Sequence, residues 1–141
     1  MKKFELTAES KISAFGKKLF RIKALISFGS VEEGETGGWV EKEDNLSQSG
    51  NAWVFDNAEV FGNARVSDNA DYATIHGFGT QFRTTTFFRC KDKQVKVSCG
   101  CFYGTIPEFR EQVKNTRKGK IAEEYLMIAD LMEKHFAEEA K

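Results

Sequence analysis

The stretch GNAWVFDNAEVFGNARVSDNADYA, residues 50–73, repeats with a period of six. Asparagine occupies the second position of every hexad, alanine the third, and an aliphatic or aromatic residue the fifth. The repeated positions are Asn51, Asn57, Asn63 and Asn69; Ala52, Ala58, Ala64 and Ala70; and Val54, Val60, Val66 and Tyr72. A fixed period held over four copies is typical of stacked repeat architectures, in which each copy extends a shared core.

Each hexad has the composition of a short strand followed by a tight corner. Alternate side chains of a strand point to opposite faces, so the alanine and the residue two places later can both point inward. The Gly or Asp and the Asn that precede them tolerate left-handed backbone angles, which a corner requires. The pattern resembles the hexapeptide repeat of left-handed parallel β-helices, in which three hexads close one coil, and this resemblance implies the left hand.

The repeat is too short to stand alone. Four hexads make only about one and a third coils, whereas roughly three repeat units are needed for a stable stack. Flanking segments must therefore cap the stack, or a second copy must pair with it. The sequence predicts a homo-oligomer, either a dimer or a trimer.

We predict one domain that is mainly β with C-terminal helices, in which a short left-handed parallel β-helix is capped by N-terminal strands, a C-terminal β-hairpin and two helices. The domain covers residues 1–141. Its four segments are an N-terminal β segment 1–38, the hexapeptide-repeat β-helix 39–75, a hairpin segment 76–104 and a helical segment 105–141. Thr105 is the expected N-cap of the first helix, with Pro107 in its first turn and Glu108 completing a capping box. Apolar residues at 3–4 spacing from Ile121 to Phe136 predict the last helix.

Composition excludes several classes of protein. Hydrophobic residues make up 40% and charged residues 30% of the 141 positions, values typical of a folded domain. No apolar run approaches the roughly 20 residues that span a bilayer. The N-terminus lacks the apolar stretch of a secretory signal, and three cysteines fit a reducing cytoplasm better than a disulfide framework.

The formal net charge of zero hides strong segregation along the chain. Residues 1–30 carry a net charge of +5, residues 31–82 a net of −8, residues 83–120 a net of +7 and residues 121–141 a net of −4. Such blocks create local potentials. They can attract one another within the fold or attract a charged partner, and the sequence leaves both interpretations open.

Two stretches together, residues 50–70 and TTFFRCKDKQVKVSCGCFYGTIPEF at 85–109, resemble a family of small proteins encoded by phages and prophages of Gram-positive and gut bacteria. Members share the lead-in found here at Phe15-Gly16 and residues 19–25, and differ mainly in the number of hexads. The resemblance implies an accessory protein that inhibits antiphage immunity in the cytoplasm of the bacterial host. It implies stoichiometric binding, either to a host defence protein such as a CRISPR nuclease or to a nucleotide immune signal.

The acidic face of the repeat is the first candidate surface. Asp56, Glu59, Asp68 and Asp71 could imitate a phosphate backbone on a rigid scaffold and block a basic nucleic-acid channel. Trp53 would anchor such a contact if it were exposed, and would otherwise cap the core. The alternative is a solvated acidic face with no partner.

A basic cluster in the hairpin segment is the second candidate, for an anionic ligand. Its members are Arg83, Arg89, Lys91, Lys93 and Lys96. Neighbouring phenylalanines could stack on bases while these side chains hold phosphates. The alternative is a solvated hairpin whose phenylalanines belong to the core.

We predict no enzymatic activity, no cofactor and no membrane partner. The hexapeptide repeat also occurs in acyltransferases, and His76, which follows the repeat, is the better general-base candidate of the two histidines. Cys90, Cys99 and Cys101 could form a zinc site with His76, but C-x-C spacing is poor evidence, so we predict no metal and expect buried thiols. A purely structural phage protein that oligomerises through its β-helix is the competing interpretation.

Overall fold

A computed structural model describes residues 2–13, 16–79, 83–100 and 102–137, with Arg83 described by its backbone alone. Within these residues the chain forms eight strands and two helices. The elements are β1 (Phe4–Ile12), β2 (Lys18–Ala24), β3 (Thr36–Val40), β4 (Glu59–Val60), β5 (Tyr72–Phe78), β6 (Arg83–Arg89), β7 (Val95–Cys99), β8 (Phe102–Thr105), α1 (Ile106–Thr116) and α2 (Gly119–Phe136). The strands form two four-stranded sheets, ordered β1-β2-β3-β4 and β5-β6-β7-β8.

Antiparallel pairing dominates both sheets. In the first sheet β1 pairs with β2 and β2 with β3 in antiparallel register, and β4 joins β3 in parallel. The second sheet is antiparallel throughout and runs in chain order. The expected hairpin around residues 91–93 is confirmed, since β6 and β7 flank that turn.

The prediction of a left-handed parallel β-helix is wrong. Parallel pairing of the described hexad residues is confined to the two-residue strand β4 and an isolated bridge between Leu46 and Val66. On its other side the hexad segment bonds to the second sheet, where the Arg65 amide donates to the Arg89 carbonyl at 3.0 Å. Because so few hexads cannot cover their own strand edges, antiparallel strands take the place of further coils.

The inward positions of the first three hexads are nevertheless as predicted. Ala52, Ala58 and Ala64 are buried, as are the valines two places after them. The first positions Gly50, Asp56 and Gly62 adopt left-handed angles, with φ of 73°, 52° and 65°. The fourth hexad departs from this pattern, because Ala70 is exposed and Tyr72 is only half-buried.

The second sheet lies between two hydrophobic cores. Phe88 belongs to the core beneath the hexads, together with Val60 and Phe61. Its neighbour Phe87 points to the opposite face of the sheet and packs with Phe109 and the rest of the helical core.

Both helices are as predicted. The Thr105 side chain accepts the Glu108 amide at 3.3 Å, and the Glu108 carboxylate accepts the Thr105 amide at 2.8 Å, which completes the capping box. The expected apolar positions of α2 are buried: Tyr125, Ile128, Ala129, Met132 and Phe136. Neither of these described helices combines the length and apolar character that crossing a membrane requires.

Candidate functional site

A cleft of about 520 Å³ opens where the second hexad corner meets the outer face of β5 and β6. The hexad side of the cleft is formed by residues 55–58, and Arg21 reaches it from β2. The opposite wall consists of Tyr72, Thr74 and His76 of β5 with Thr84 of β6. Both sheets therefore contribute polar side chains to one space.

Strand alternation explains the composition of this wall. Tyr72, Thr74 and His76 are two residues apart on β5, so their side chains share one face. His76 is opposite Thr84 in the antiparallel register, and its Nδ1 lies 3.1 Å from the Thr84 hydroxyl. The threonine hydroxyls and the imidazole form a row of groups that can both donate and accept hydrogen bonds.

Arg21 is held rigidly at the edge of the cleft. Its Nη1 donates to the Gly37 carbonyl at 2.6 Å and to the Asp56 carbonyl at 3.4 Å, and its Nε lies 3.4 Å from the Glu9 carboxylate. The guanidinium also stacks over the Trp39 ring at 4.3 Å. Within the part of the chain that the structure describes, Nη2 has no hydrogen-bond partner. The Nη2 nitrogen of an oriented guanidinium, with its two N–H donors, is therefore available to an anion.

The hexad corner that faces Arg21 is a left-handed turn that is anchored to β5. Asp56 has a φ of 52°, a left-handed conformation that only a few per cent of non-glycine residues adopt. The next residue towards the N-terminus, Phe55, donates its amide to the Tyr72 hydroxyl at 3.0 Å. Burial raises the pKa of Tyr72, so this hydroxyl stays protonated at neutral pH and can donate its own proton.

Most of the predicted acidic face is engaged within the chain. Glu59 forms a 2.8 Å ion pair with Lys11, and Asp71 pairs with Arg89 at 3.2 Å. Asp68 accepts the amide of Ala70, two residues on, at 2.9 Å. Asp56 lines the cleft instead. Three of these four carboxylates therefore already have partners within the chain.

Trp53 is not a surface anchor. It has 0% of its surface exposed and contacts Phe4 and Phe28 edge-on, with ring centroids 6.3 and 5.3 Å away. Gly37 lies so close that an added Cβ would come within 2.7 Å of the indole ring. The interpretation of Trp53 as a partner-binding residue is therefore wrong, and the alternative, a core tryptophan, is what the fold uses.

The predicted basic cluster does not form one surface. Arg89 donates to the Phe136 carbonyl at 3.0 Å on the helical side of the sheet. Lys96 lies 5.7 Å from the Tyr103 ring on the other side, and Lys91 pairs with Asp44.

The two remaining members of that cluster are Lys93 and Arg83. Lys93 is exposed in the hairpin turn with a φ of 74°. The side chain of Arg83 lies outside the described residues.

The cysteines give no support for a metal centre. Cys90 and Cys99 are buried free thiols, and the Thr85 hydroxyl donates to the Cys99 sulfur at 3.2 Å. Burial raises the pKa of Cys90 to about 11. Cys101 lies outside the described residues, and within them no group of three or more His, Cys, Asp or Glu could hold a metal ion.

Sequence reasoning missed Arg21 and therefore the cleft. Arg21 lies in an alternating strand among other basic residues, where nothing in the pattern distinguishes it from Lys18 or Lys23. Only the β2–β3 register, which places Arg21 beside Trp39, reveals its role.

Comparison with known proteins gives one partial similarity and no family. No protein-family model matches the chain. Over an alignment 63 residues long, the chain is 38% identical to a protein of Escherichia coli (strain K12) named uncharacterized acetyltransferase YdcK. The match covers 40% of this chain but only 19% of that protein, so the chain spans about a fifth of its relative's length. The similarity identifies a shared segment, and the acetyltransferase name belongs to the relative.

Proposed function

We propose that this protein acts by stoichiometric binding and sequesters a phosphorylated nucleotide, an immune signal of the bacterial host, in the cleft between its two sheets. In this role it is a phage accessory protein that inhibits antiphage immunity. The partner is a small molecule, and the protein needs no cofactor of its own.

The observation that carries the proposal is the oriented guanidinium of Arg21. Arginine presents phosphate-binding N–H donors in a rigid planar fork, and a guanidinium that is already fixed in place loses little freedom when it binds. Gly37, Asp56 and Trp39 fix it here, while Nη2 stays available.

The rest of the cleft is consistent with a nucleotide. Its volume of about 520 Å³ lies in the range of roughly 300–1,000 Å³ typical of small-molecule sites. Thr74, Thr84 and His76 supply hydrogen bonds for phosphate and ribose oxygens. The half-buried rings of Phe55 and Tyr72 offer aromatic surface for a base.

Blocking of a defence protein has less support. That mode requires a continuous acidic surface with an aromatic anchor. Glu59 and Asp71 are neutralised by Lys11 and Arg89 within the chain, and Trp53 is buried.

Acyl transfer is a second candidate, favoured by one observation. His76 lies in the cleft with Nδ1 against the Thr84 hydroxyl, an arrangement that can orient the imidazole as a general base. The name of the Escherichia coli relative makes acetyl groups the first ones to test.

Calorimetric titration with cyclic dinucleotides, ADP-ribose and inorganic phosphate tests the proposal. We expect one nucleotide class to bind with one ligand per chain, and Arg21→Lys to weaken it by about tenfold or more, because the fork is lost while the charge stays. His76→Ala should weaken the same ligand. The matched control is His135→Ala, which changes the other histidine, an exposed residue on α2, and should leave binding unchanged.

The same proteins separate binding from catalysis. Incubation with acetyl-coenzyme A and a panel of amine and hydroxyl acceptors should give no turnover if the protein only sequesters its ligand. Turnover that His76→Asn abolishes and His135→Asn preserves would favour acyl transfer instead. Absence of nucleotide binding in the unmodified protein would refute sequestration.

A further inference from the structure

We propose that the outer face of α2 is a self-association surface, on which a second copy of this chain docks through an antiparallel, two-fold pairing of the two α2 helices. The face is defined by Lys120, Glu123, Glu124, Met127, Leu131 and Lys134. This inference concerns assembly and does not depend on the ligand of the cleft.

Two apolar side chains lie at the centre of this face. Met127 is 69% exposed and Leu131 is 59% exposed, and they are the exposed large hydrophobic residues of the described helices. They are four residues apart, so they are neighbours on one face of α2. The core-facing residues Tyr125, Ile128 and Met132 lie on the other side of the helix. An adjacent exposed apolar pair inside a charged rim is typical of the centre of an interface.

The charges around this pair identify the partner. The midpoint between Met127 and Leu131 is position 129. Glu124 lies five residues before this midpoint and Lys134 lies five residues after it, about 7.5 Å away along the axis in each direction. When two copies pair antiparallel about that midpoint, Glu124 of one copy is level with Lys134 of the other. Glu123 is within one residue of the same level.

The antiparallel pairing forms the same apolar and charged contacts on both sides of its two-fold axis. A two-fold interface is self-complementary, so each contact occurs twice. Met127 of each copy lies against Leu131 of the other, and each Lys134 lies near two carboxylates. A parallel pairing would instead place like charges at the same level.

The remaining carboxylates of the helix do not oppose the association. Asp130 and Glu133 both accept from the Arg110 guanidinium, at 2.9 and 3.0 Å. Arg110 thereby offsets half of the negative charge of this pair of carboxylates within the chain. The interface is small, so we expect a reversible monomer–dimer equilibrium and not a permanent dimer.

Charge reversal tests the register directly. The E123K/E124K variant places lysines opposite Lys134, and the K134E variant places a carboxylate opposite Glu123 and Glu124, so each variant alone should dissociate at least about tenfold more readily. In an equimolar mixture of the two variants, the mixed dimer has opposite charges at both ends. At one end the original Lys134 faces the original Glu123 and Glu124, and at the other the introduced lysines face the introduced carboxylate. Sedimentation equilibrium should then show a heterodimer with twice the 16.0 kDa chain mass.

The matched control is E32K/E33K, which makes the same change in charge on exposed residues between β2 and β3 and should dimerise like the unmodified protein. Thermal unfolding of every variant verifies that it is folded. An unmodified protein that stays monomeric at all accessible concentrations would overturn the proposal. Single variants that dimerise as well as the unmodified protein, or a mixture that associates no better than either variant alone, would also overturn it.

Discussion

Replacing Lys3 with methionine removes a positive charge from the interior of the first core. Lys3 is only 1% exposed, and its ammonium donates to the Ala52 carbonyl at 2.6 Å and to the Gly50 and Ser49 carbonyls at 3.4 and 3.5 Å. It also lies 4.7 Å from the centre of the Phe28 ring. The side chain therefore ties the first hexad corner to the N-terminal strand, with carbonyl oxygens and an aromatic ring in place of a carboxylate.

The expected cost follows from these contacts. A hydrogen bond to a charged donor contributes about 1.5–3 kcal/mol, and a buried carbonyl left without a donor costs about 1–3 kcal/mol. Relief of the buried charge offsets part of this loss, since burial already lowers the pKa of Lys3. We expect a net loss of about 2 kcal/mol in the free energy of unfolding, or roughly 5–8 °C in Tm.

Urea denaturation of Lys3→Met measures this loss, with Lys2→Met as the matched control. The neighbouring Lys2 is exposed and forms a 3.2 Å surface pair with Glu43, so its loss should change stability by less than about 0.5 kcal/mol. The pH dependence has a definite sign. Because the folded-state pKa of Lys3 is below its ordinary 10.5, the penalty for burying its charge is relieved as pH rises through the folded value towards 10.5. The advantage of the unmodified protein over Lys3→Met should therefore grow in that window. Equal stability of the two proteins would refute the reasoning.

Three further predictions concern single side chains. Asn45→Ala should cost about 3 kcal/mol in urea denaturation, because the fully buried side chain accepts from two backbone amides after β3 and donates to two carbonyls of the third hexad. A cost below about 1 kcal/mol would contradict this role. Thr105→Ala should cost about 1 kcal/mol through loss of the α1 cap, whereas Thr105→Ser should retain most of the stability. Burial raises the pKa of Cys90 from 9.0 to about 11, so the unfolded chain ionises first and stability falls as pH rises from 9.0 to 11. Cys90→Ala should reduce that alkaline loss by roughly 3 kcal/mol, and an unchanged pH profile would contradict the burial of this thiol.

Local features of the fold were predictable because their causes are local. The capping box at Thr105 and the 3–4 spacing of α2 depend on residues within one or two turns, and both helices form where the sequence places them. The left-handed corners at Gly50, Asp56 and Gly62 follow from residue types that tolerate positive φ.

The architecture was not predictable from the repeat because it depends on distant partners. A period of six predicts which side chains point inward, and Val54 and Val60 do, but it does not determine which strands cover the edges of the repeat. Here β3 and the second sheet cover them in place of further coils.

The candidate site was missed for a related reason. Charge blocks along the sequence indicated a basic hairpin, but strand alternation separates Arg89 and Lys96 onto opposite faces. Arg21 gains its role only through contact with Trp39 and the carbonyls of residues that are far away in the chain.

Native mass spectrometry of the protein purified directly from phage-infected bacteria tests the central claim, that the cleft holds a phosphorylated ligand. We expect the unmodified protein to carry one phosphorylated adduct per chain. The Arg21→Lys variant should lose this adduct, whereas Lys93→Ala, a substitution in the hairpin turn, should keep it. An unmodified protein without an adduct, or an adduct that survives Arg21→Lys but is lost from Lys93→Ala, would contradict the account.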